Sequence, residues 1–277
     1  MPELPEVETT VRLLRPDVVG ATIEKVSVFW ERTVGRPSVT AFRRGLAGRT
    51  ITAVSRRAKY LVFHLDDGRL MSGHLRMTGR FTVGEERKPP HARVAMQFDD
   101  GRWFVFSDVR KFGRLGLGDT LDDLLPPLGP EPLTDALDGD WLATALRRRK
   151  RLLKPLLLDQ AFVAGLGNIY VDESLHRAGL HPLRSAHTVT RSQAHDLCAI
   201  IKDVLGSAIV AEGSSFDTFY RTPEGNPGAF QDEFFVYGRD GKPCRGCGTT
   251  IKKLLVGQRG THVCPKCQPV PRKRRTR

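Results

Sequence analysis

Two cysteine pairs near the C-terminus are the clearest chemical signal in the sequence. Cys244 and Cys247 form one Cys-x-x-Cys turn, Cys264 and Cys267 form a second, and 16 residues separate the two pairs. Each turn can place two thiolates on one metal ion and two turns complete a tetrahedron, so the spacing predicts a four-thiolate zinc ribbon. A pair of redox dithiols is the alternative, but no thioredoxin-like βαβ pattern surrounds these cysteines.

The predicted metal centre is structural rather than catalytic. Pro243 followed by Cys244 also resembles part of the zinc deaminase signature, which needs an upstream His or Cys followed two positions later by Glu. None of the 8 histidines and none of the 5 cysteines is followed in that way. Four thiolates also leave no open position for a water molecule, so we expect one structural Zn²⁺.

The N-terminus offers the best candidate for covalent chemistry. Removal of Met1 would leave Pro2 with a secondary amine, whose pKa of about 8 keeps a neutral fraction at physiological pH. Attack of this amine on a sugar C1′ would form an iminium ion, an electron sink that permits later elimination of phosphate. Glu3 lies beside the amine and Glu6 one helical turn further on, which supplies two carboxylates for proton transfer. Taken alone, the same acids could simply interact with the helix dipole.

The charge balance favours a polyanionic partner. The 277 residues include 44 Lys and Arg against 31 Asp and Glu, a formal net charge of +13. Nucleic acid is favoured over a membrane surface because no long amphipathic basic helix stands out. No run approaches the roughly 18 apolar residues of a membrane span, and the acidic N-terminus does not resemble a secretory signal. We therefore expect a cytoplasmic protein that is not bound to a membrane.

Hydrophobic patterning divides the chain, whose length fits about two domains, into contrasting regions. Residues 3–16 are predicted to form a helix because Pro5 suits its first turn and Pro16 marks an end. From about residue 22 to residue 117, short alternating segments separated by Asp-Asp-Gly turns indicate a β-sandwich or barrel. The predicted strands are Ile23–Trp30, Ile51–Arg56, Tyr60–Leu65, Arg93–Phe98 and Trp103–Ser107.

The second half of the chain has a different pattern. Prolines clustered between residues 126 and 132 indicate a stiff linker, and residues 138–212 carry helical periodicity. Residues 213–243 lack a clear period and are expected to form a long loop that leads into the zinc ribbon. The strongly basic tail, residues 272–277, is expected to be disordered.

Seven segments of the chain carry a family resemblance. The first is MPELPEVET at residues 1–9. The others are RRAKYL at 56–61, HLRMTG at 74–79, DVRKFG at 108–113, KPLLLDQ at 154–160, GLGNIY at 165–170, and GQRGT running into CPKCQ at 257–268. In this order they closely resemble motifs of the formamidopyrimidine-DNA glycosylases, and the resemblance spans residues 1–268.

This resemblance implies an α+β multidomain protein. A β-sandwich with a flanking N-terminal helix is followed by a helix–two-turns–helix domain that carries a C-terminal zinc ribbon. The implied boundaries are residues 1–125 for the catalytic sandwich, 126–136 for the linker, 137–223 for the helix–two-turns–helix domain, 224–268 for the loop and ribbon, and 269–277 for the basic tail.

The resemblance also implies a bifunctional DNA glycosylase and AP lyase of base excision repair. Enzymes of this family excise oxidised purines such as 8-oxoguanine and formamidopyrimidines, then cut the strand at the abasic site by β,δ-elimination. By this likeness Pro2 is the Schiff-base nucleophile, Glu3 is the main proton donor and acceptor, and Glu6 supports it. Lys59 is the implied proton donor in β-elimination, and Arg259 is implied to bind the lesion phosphate and assist δ-elimination.

The implied partner is double-stranded DNA that contains oxidised bases or abasic sites, bound by a monomer. A base inside the stack has to be flipped out before it can react, and another group has to fill the gap. The residues implied to do so are Met77, Arg110 and Phe112. The other implied DNA-binding residues are His91, Lys150 and Asn168.

Two alternatives and one specificity question remain open. An endonuclease VIII-type glycosylase for oxidised pyrimidines is disfavoured by Leu4, since that branch usually has Gly at this position. A non-catalytic zinc-ribbon DNA-binding protein would read duplex shape without breaking a bond. Lesion preference is open because residues 212–220 do not closely match the family's lesion-contacting loop, and Thr78 occupies a variable position where it could face the base.

Overall fold

The computed structural model describes residues 1–216 and 220–271. Two features of the sequence therefore fall partly or wholly outside the described residues. These are the segment 212–220, of which residues 217–219 are not described, and the basic residues 272–277. Among the described helices, none combines the length and apolar character needed to cross a membrane.

The described residues form two compact units. The first contains Met1–Pro127 together with Ile209–Gln231, and the second contains Leu128–Ala208 together with the described residues from Asp232 onward. Residues 209–231 therefore pack with the N-terminal part of the chain, although they are distant from it in sequence.

Helix α1 (Leu4–Val18) opens the first unit. Glu3 caps it in an extended conformation and Pro5 lies in its first turn, where a missing N–H is not needed. The helix continues to Val18, two residues past the predicted end at Pro16. Pro16 lies in the last turn, and the helix ends with a hydrogen bond from the Val19 N–H to the Arg15 carbonyl. The apolar face consists of Val7, Val11, Leu14 and Val18, all fully buried.

Nine strands and two further helices complete this unit. The strands are β1 (Thr22–Val28), β2 (Val34–Arg36), β3 (Arg49–Arg57), β4 (Tyr60–Leu65), β5 (Leu70–His74), β6 (Gly79–Gly84), β7 (Ala92–Phe98), β8 (Trp103–Asp108) and β9 (Arg114–Gly118). The helices are α2 (Val39–Leu46) and α3 (Leu121–Leu124). The hydrogen-bonded order is β2-β9-β5-β4-β3-β1-β7-β8-β6.

This sheet folds over to form the two layers of a sandwich. Strands β1 and β3 share only two residue pairs, so the sheet is weakly joined at that position. On β4, Phe63 contacts Phe81 of β6 and Phe104 of β8 at ring-centre distances of 5.5 and 5.4 Å. Strands β4 and β6 are far apart in the sheet order, so these contacts require the two halves of the sheet to face each other. The expected β-sandwich is therefore confirmed.

The second unit is helical and ends in a small hairpin. Its helices are α4 (Gly139–Arg147), α5 (Leu153–Leu157), α6 (Asn168–Arg177) and α7 (Arg191–Val210), and its strands are β10 (Lys252–Val256) and β11 (Arg259–Val263). Two successive turns between α5 and α6 are held together by Gln160, which accepts the Gly165 N–H and donates to the Leu166 carbonyl. The helix–two-turns–helix motif and the ribbon hairpin agree with the expected fold class.

The aromatic core of the sandwich provides a test of the fold. Phe81 is fully buried, and its ring lies 4.9 Å from those of both Phe104 and Phe106. We expect Phe81→Ala to lower the free energy of unfolding by about 3–5 kcal/mol, measured by urea denaturation, because the cavity cannot collapse fully. Phe112→Ala is the matched control, since that ring is 47% exposed and its removal should cost far less. Equal losses in the two variants would contradict the proposed core.

Candidate active site and metal centre

The N-terminal residues lie at the start of α1 in a buried setting. Pro2 is buried, and Glu3 and Glu6 are only 3% and 1% exposed. The Glu6 carboxylate accepts the Glu3 backbone N–H at 2.8 Å, which is half of a helix capping box. The structure thus places the predicted nucleophile next to two carboxylates that are shielded from water.

Glu6 also holds the segment that follows α7. Its Oε1 accepts the backbone N–H of Ser214 at 2.8 Å and the Ser214 hydroxyl at 3.3 Å. Gly213 adopts a φ of +81°, and a Cβ there would lie 2.8 Å from Glu6 Cγ, so only glycine fits. Tyr220, at the other end of the segment, donates its hydroxyl to the Glu6 carbonyl at 3.3 Å. Residues at both ends of the segment 212–220 are therefore fastened to the first turn of α1.

Lys59 lies in the tight turn between β3 and β4. Arg57 pairs with Tyr60 across this hairpin, and Ala58 in the turn has a φ of +52°. The position of Lys59 in a turn would suggest a solvated surface lysine, but this residue is only 5% exposed, so that interpretation is excluded. Its positive charge lies near enough to act on His74, a buried histidine of β5.

His74 is a buried polar residue to which the sequence assigned no role. Its ring packs edge-on against Tyr60 at 4.5 Å, and its Nδ1 accepts the Arg76 backbone N–H at 3.0 Å. Burial, the main cause, and the positive charges of Arg76 and Lys59, which act in the same direction, together lower the pKa of His74 to about 3. The imidazole is therefore neutral and carries its proton on Nε2. The HLRMTG motif marks this position in the sequence. The burial that keeps the ring neutral could not be predicted from the motif, because it depends on packing against Tyr60 of β4.

A basic cavity of about 240 Å³ opens beside His74. Its charged lining is Arg36, Arg76 and Arg114, and its other polar side chains include Tyr60 and Ser72. None of its lining residues is acidic, so the cavity has a positive potential suited to an anionic group.

The three residues expected to enter the duplex lie together. Arg110 donates from its guanidinium to Met77 Sδ at 3.0 Å, and its guanidinium carbon lies 4.9 Å from the centre of the Phe112 ring. Phe112 is 47% exposed and Met77 is half-buried. An aromatic ring left so open at a loop is suited to an intermolecular contact rather than to the core.

Asp108 organises the two loops that carry these residues. Its carboxylate, 1% exposed, accepts the Arg110 N–H at 3.2 Å, the Gly113 N–H at 2.7 Å and the Thr78 hydroxyl. Thr78 also accepts the Arg110 N–H, so its hydroxyl joins the loops to each other. The backbone carbonyl of His91, in a left-handed conformation, accepts the Asp108 N–H.

In the second unit, two of the residues predicted to bind DNA, Asn168 and Arg259, lie at the beginnings of elements. Arg259 is exposed and starts β11 after a two-residue turn in which Gly257 and Gln258 both have positive φ, as a tight hairpin requires. Asn168 begins α6 and donates to the carbonyl of Gly260, next to Arg259, at 3.0 Å. Lys150 is exposed and lies in a different stretch, just after α4.

A buried lysine fastens this hairpin to α6. Lys154 is fully buried, and its Nζ donates to Asp172 at 2.7 Å, to the Thr261 hydroxyl at 2.8 Å and to the Gly260 carbonyl at 3.1 Å. Asp172 in turn accepts the His262 N–H at 2.9 Å. Sequence analysis assigned no role to Lys154, since its partners lie about 20 and 100 residues away in the chain.

The four predicted zinc ligands converge at the base of the hairpin. The sulfurs of Cys244 and Cys267 are 4.0 Å apart, and those of Cys247 and Cys264 are 3.4 Å apart. Zn–S bonds of about 2.3 Å in a tetrahedron place sulfurs about 3.8 Å apart, so the thiols fit one structural zinc ion. The zinc would fold a hairpin too small to be stable alone, and the hairpin presents Arg259.

The Lys154 clamp predicts a large loss of stability when its charge is removed. We expect Lys154→Met to lower the free energy of unfolding of the zinc-loaded protein by about 3–5 kcal/mol, because the Asp172 carboxylate stays buried without its ion-pair partner. Urea denaturation measures this loss. Lys150→Met is the control, since that exposed side chain should contribute little to stability. A similar cost for both substitutions would contradict the clamp.

The neutral state of His74 predicts a pH dependence. Between about pH 4 and pH 6 the unfolded chain protonates this side chain while the folded chain does not, so folding stability falls as the pH falls. We expect His74→Gln, which keeps an acceptor for the Arg76 N–H, to reduce the slope of unfolding free energy against pH by about 1.4 kcal/mol per pH unit. Denaturant titrations at several pH values measure the slope, and an unchanged slope would contradict the buried neutral ring.

Comparison with known proteins identifies the same organisation. Three family models match the chain: the formamidopyrimidine-DNA glycosylase N-terminal domain over residues 1–115, the formamidopyrimidine-DNA glycosylase H2TH domain over residues 128–220, and the zinc finger found in FPG and IleRS over residues 241–270. These matches agree with the expected β-sandwich, helix–two-turns–helix motif and zinc ribbon.

Individual relatives match over nearly their whole length. A formamidopyrimidine-DNA glycosylase of Geobacillus kaustophilus is 46% identical over 275 residues, 97% of this chain and 100% of that protein. A solved complex of the Lactococcus lactis Fpg with DNA containing an abasic site has 38% identity and a TM-score of 0.89, with 97% of this chain and 100% of that chain covered. The MutM (Fpg) structure from Thermus thermophilus has 43% identity and a TM-score of 0.87 over 96% and 98% of the two chains. From this similarity in sequence and fold, the chain belongs to the formamidopyrimidine-DNA glycosylase family.

Proposed function

We propose that this chain is a bifunctional DNA glycosylase and AP lyase that removes oxidised purines from duplex DNA through a Schiff base on Pro2. The observation that carries the proposal is the start of α1, where Pro2 is buried beside the carboxylates of Glu3 and Glu6. Family membership supports it, and the related Lactococcus lactis protein has been solved with DNA that contains an abasic site.

In the proposed reaction, removal of Met1 frees the Pro2 amine. Its nitrogen bonds to C1′ as the bond from C1′ to the damaged base breaks, and opening of the sugar ring leaves an iminium ion. Loss of a C2′ proton then expels the 3′ phosphate, and a second elimination expels the 5′ phosphate. Glu3 transfers protons during these steps, because its carboxyl group follows the reacting amine directly in the chain and is shielded from water.

Other residues act on the DNA backbone and on the gap in the duplex. We assign Lys59 to proton donation during β-elimination and Arg259 to the phosphate of the damaged nucleotide, where its planar guanidinium can bind two oxygens. Asn168, His91 and Lys150 bind backbone phosphates in this proposal.

Met77, Arg110 and Phe112 fill the space of the flipped nucleotide. Exposure of the Phe112 ring and its stacking against Arg110 support this assignment, since an apolar wedge and a hydrogen-bonding group are both needed there. A single chain supplies every proposed role, so we propose that the enzyme acts as a monomer in the cytoplasm.

Borohydride trapping tests the proposed chemistry. The protein with Met1 removed is incubated with duplexes that contain 8-oxoguanine, an oxidised pyrimidine or an abasic site, and borohydride is added. We expect a covalent adduct at Pro2 with the 8-oxoguanine duplex, and a weaker adduct or none in Pro2→Gly or when Met1 is retained. Glu3→Gln should release the damaged base at least about 100-fold more slowly, because it removes the proton-transfer group.

A matched control and two contrary outcomes complete this test. Glu24→Gln changes an exposed carboxylate on β1 and should leave base release unchanged. Faster trapping on the oxidised pyrimidine would favour the endonuclease VIII-type activity instead. Binding to the duplexes without any adduct would leave the non-catalytic DNA-binding protein.

A further inference from the structure

One face of α6 carries polar residues at successive helical turns. Asn168, Asp172 and His176 are spaced four residues apart, so they point to the same side of the helix. The first donates to the Gly260 carbonyl and the second accepts the His262 N–H, both on β11. Two of the three thus bind the zinc hairpin directly, and the third reaches its metal centre.

His176 lies against the cysteine cluster. The side chain is 7% exposed, and its Nε2 is 3.5 Å from Cys244 Sγ. Ligand atoms of His176, Cys244, Cys264 and Cys267 all lie within 4.8 Å of one another. The other ring nitrogen, Nδ1, is buried and has no hydrogen-bond partner among the described residues.

The sulfur geometry decides between two roles for this ring. An imidazole could replace a thiolate as a zinc ligand, or it could donate a hydrogen bond to one. The Cys244–Cys267 and Cys247–Cys264 sulfur distances of 4.0 and 3.4 Å are close to the separation of about 3.8 Å expected for two thiolates on one zinc ion, so we take the two Cys-x-x-Cys turns to supply all four ligands and to leave no position for a nitrogen. Four thiolates also leave the centre with excess negative charge in a buried place, which an N–H donor would stabilise.

We propose that His176 is a fifth residue of the zinc centre, with its Nε2–H donating a hydrogen bond to the Cys244 thiolate. A neutral imidazole has one N–H, and placing it on Nε2 accounts for the Nδ1 that has no partner. The bond joins the last turn of α6 to the first Cys-x-x-Cys turn and keeps the thiolate from dissociating. This inference concerns metal retention and does not depend on the proposed glycosylase activity.

Zinc release from the full-length protein tests this role. The zinc-loaded wild type and the variants His176→Phe and His176→Gln are mixed with the chromogenic chelator 4-(2-pyridylazo)resorcinol, and the release rate is followed by absorbance. We expect release from His176→Phe to be about 10-fold faster than from the wild type, as for the loss of other hydrogen bonds to metal ligands. His176→Gln should restore slow release, because its amide Nε2 can donate to the same sulfur.

Cobalt substitution separates a hydrogen bond from direct ligation. With Co²⁺ in place of zinc, we expect the absorption spectrum of four thiolates in the wild type and in both variants. A wild-type spectrum of three thiolates and one nitrogen, changed in His176→Phe, would overturn the proposal by making His176 a ligand. The His176 ring also lies 5.7 Å from the Phe235 ring. Release from His176→Phe as slow as from the wild type, or slower than from His176→Gln, would overturn the proposal by showing that the ring acts only through this packing.

Discussion

A carboxylate removed from water must be supplied with donors, and this constraint shapes both units of the protein. Four carboxylates are each no more than 2% exposed: those of Glu6, Asp108, Asp172 and Glu173. Three of them accept a backbone N–H from a distant part of the chain, and Asp108 accepts one from the turn that follows it. Burial of such a charge without partners would cost several kcal/mol. The acids therefore become buried only together with the backbone segments that donate hydrogen bonds to them. The loop that carries Arg110 and Phe112 is held in this way, because the Asp108 carboxylate accepts the N–H groups of Arg110 and Gly113.

The two adjacent acids on α6 show how this works in the zinc-bearing unit. Asp172 joins Lys154 to β11, whereas Glu173 accepts three consecutive backbone N–H groups, those of residues 235–237. Burial raises the pKa of Glu173, and the three backbone donors act in the opposite direction. One short helix thereby organises both the segment that leads into the ribbon and the hairpin that carries Arg259. The zinc ion adds to this by holding the two Cys-x-x-Cys turns together at the base of the hairpin.

Prediction from sequence worked best where the chemistry is local. The zinc centre followed from the spacing of four cysteines, because each Cys-x-x-Cys turn sets its own geometry. Short strands such as β5 and β9 were missed, since both are buried on two sides and contain glycine, so they lack the alternation that marks a half-buried strand. Composition would have placed Phe112 in the core, whereas the structure exposes nearly half of its surface.

The sequence by itself determined the metal ligands, the N-terminal helix with two acids at its start, and the family to which the chain belongs. Those features depend on residues within a few positions of one another, where turn and helix geometry is nearly fixed. Only the tertiary structure decided that residues 209–231 pack with the N-terminal unit, that His74 is neutral, and that His176 reaches the zinc thiolates. These outcomes depend on burial and on partners from distant parts of the chain, because charge state and hydrogen bonding are set by what surrounds a side chain in space.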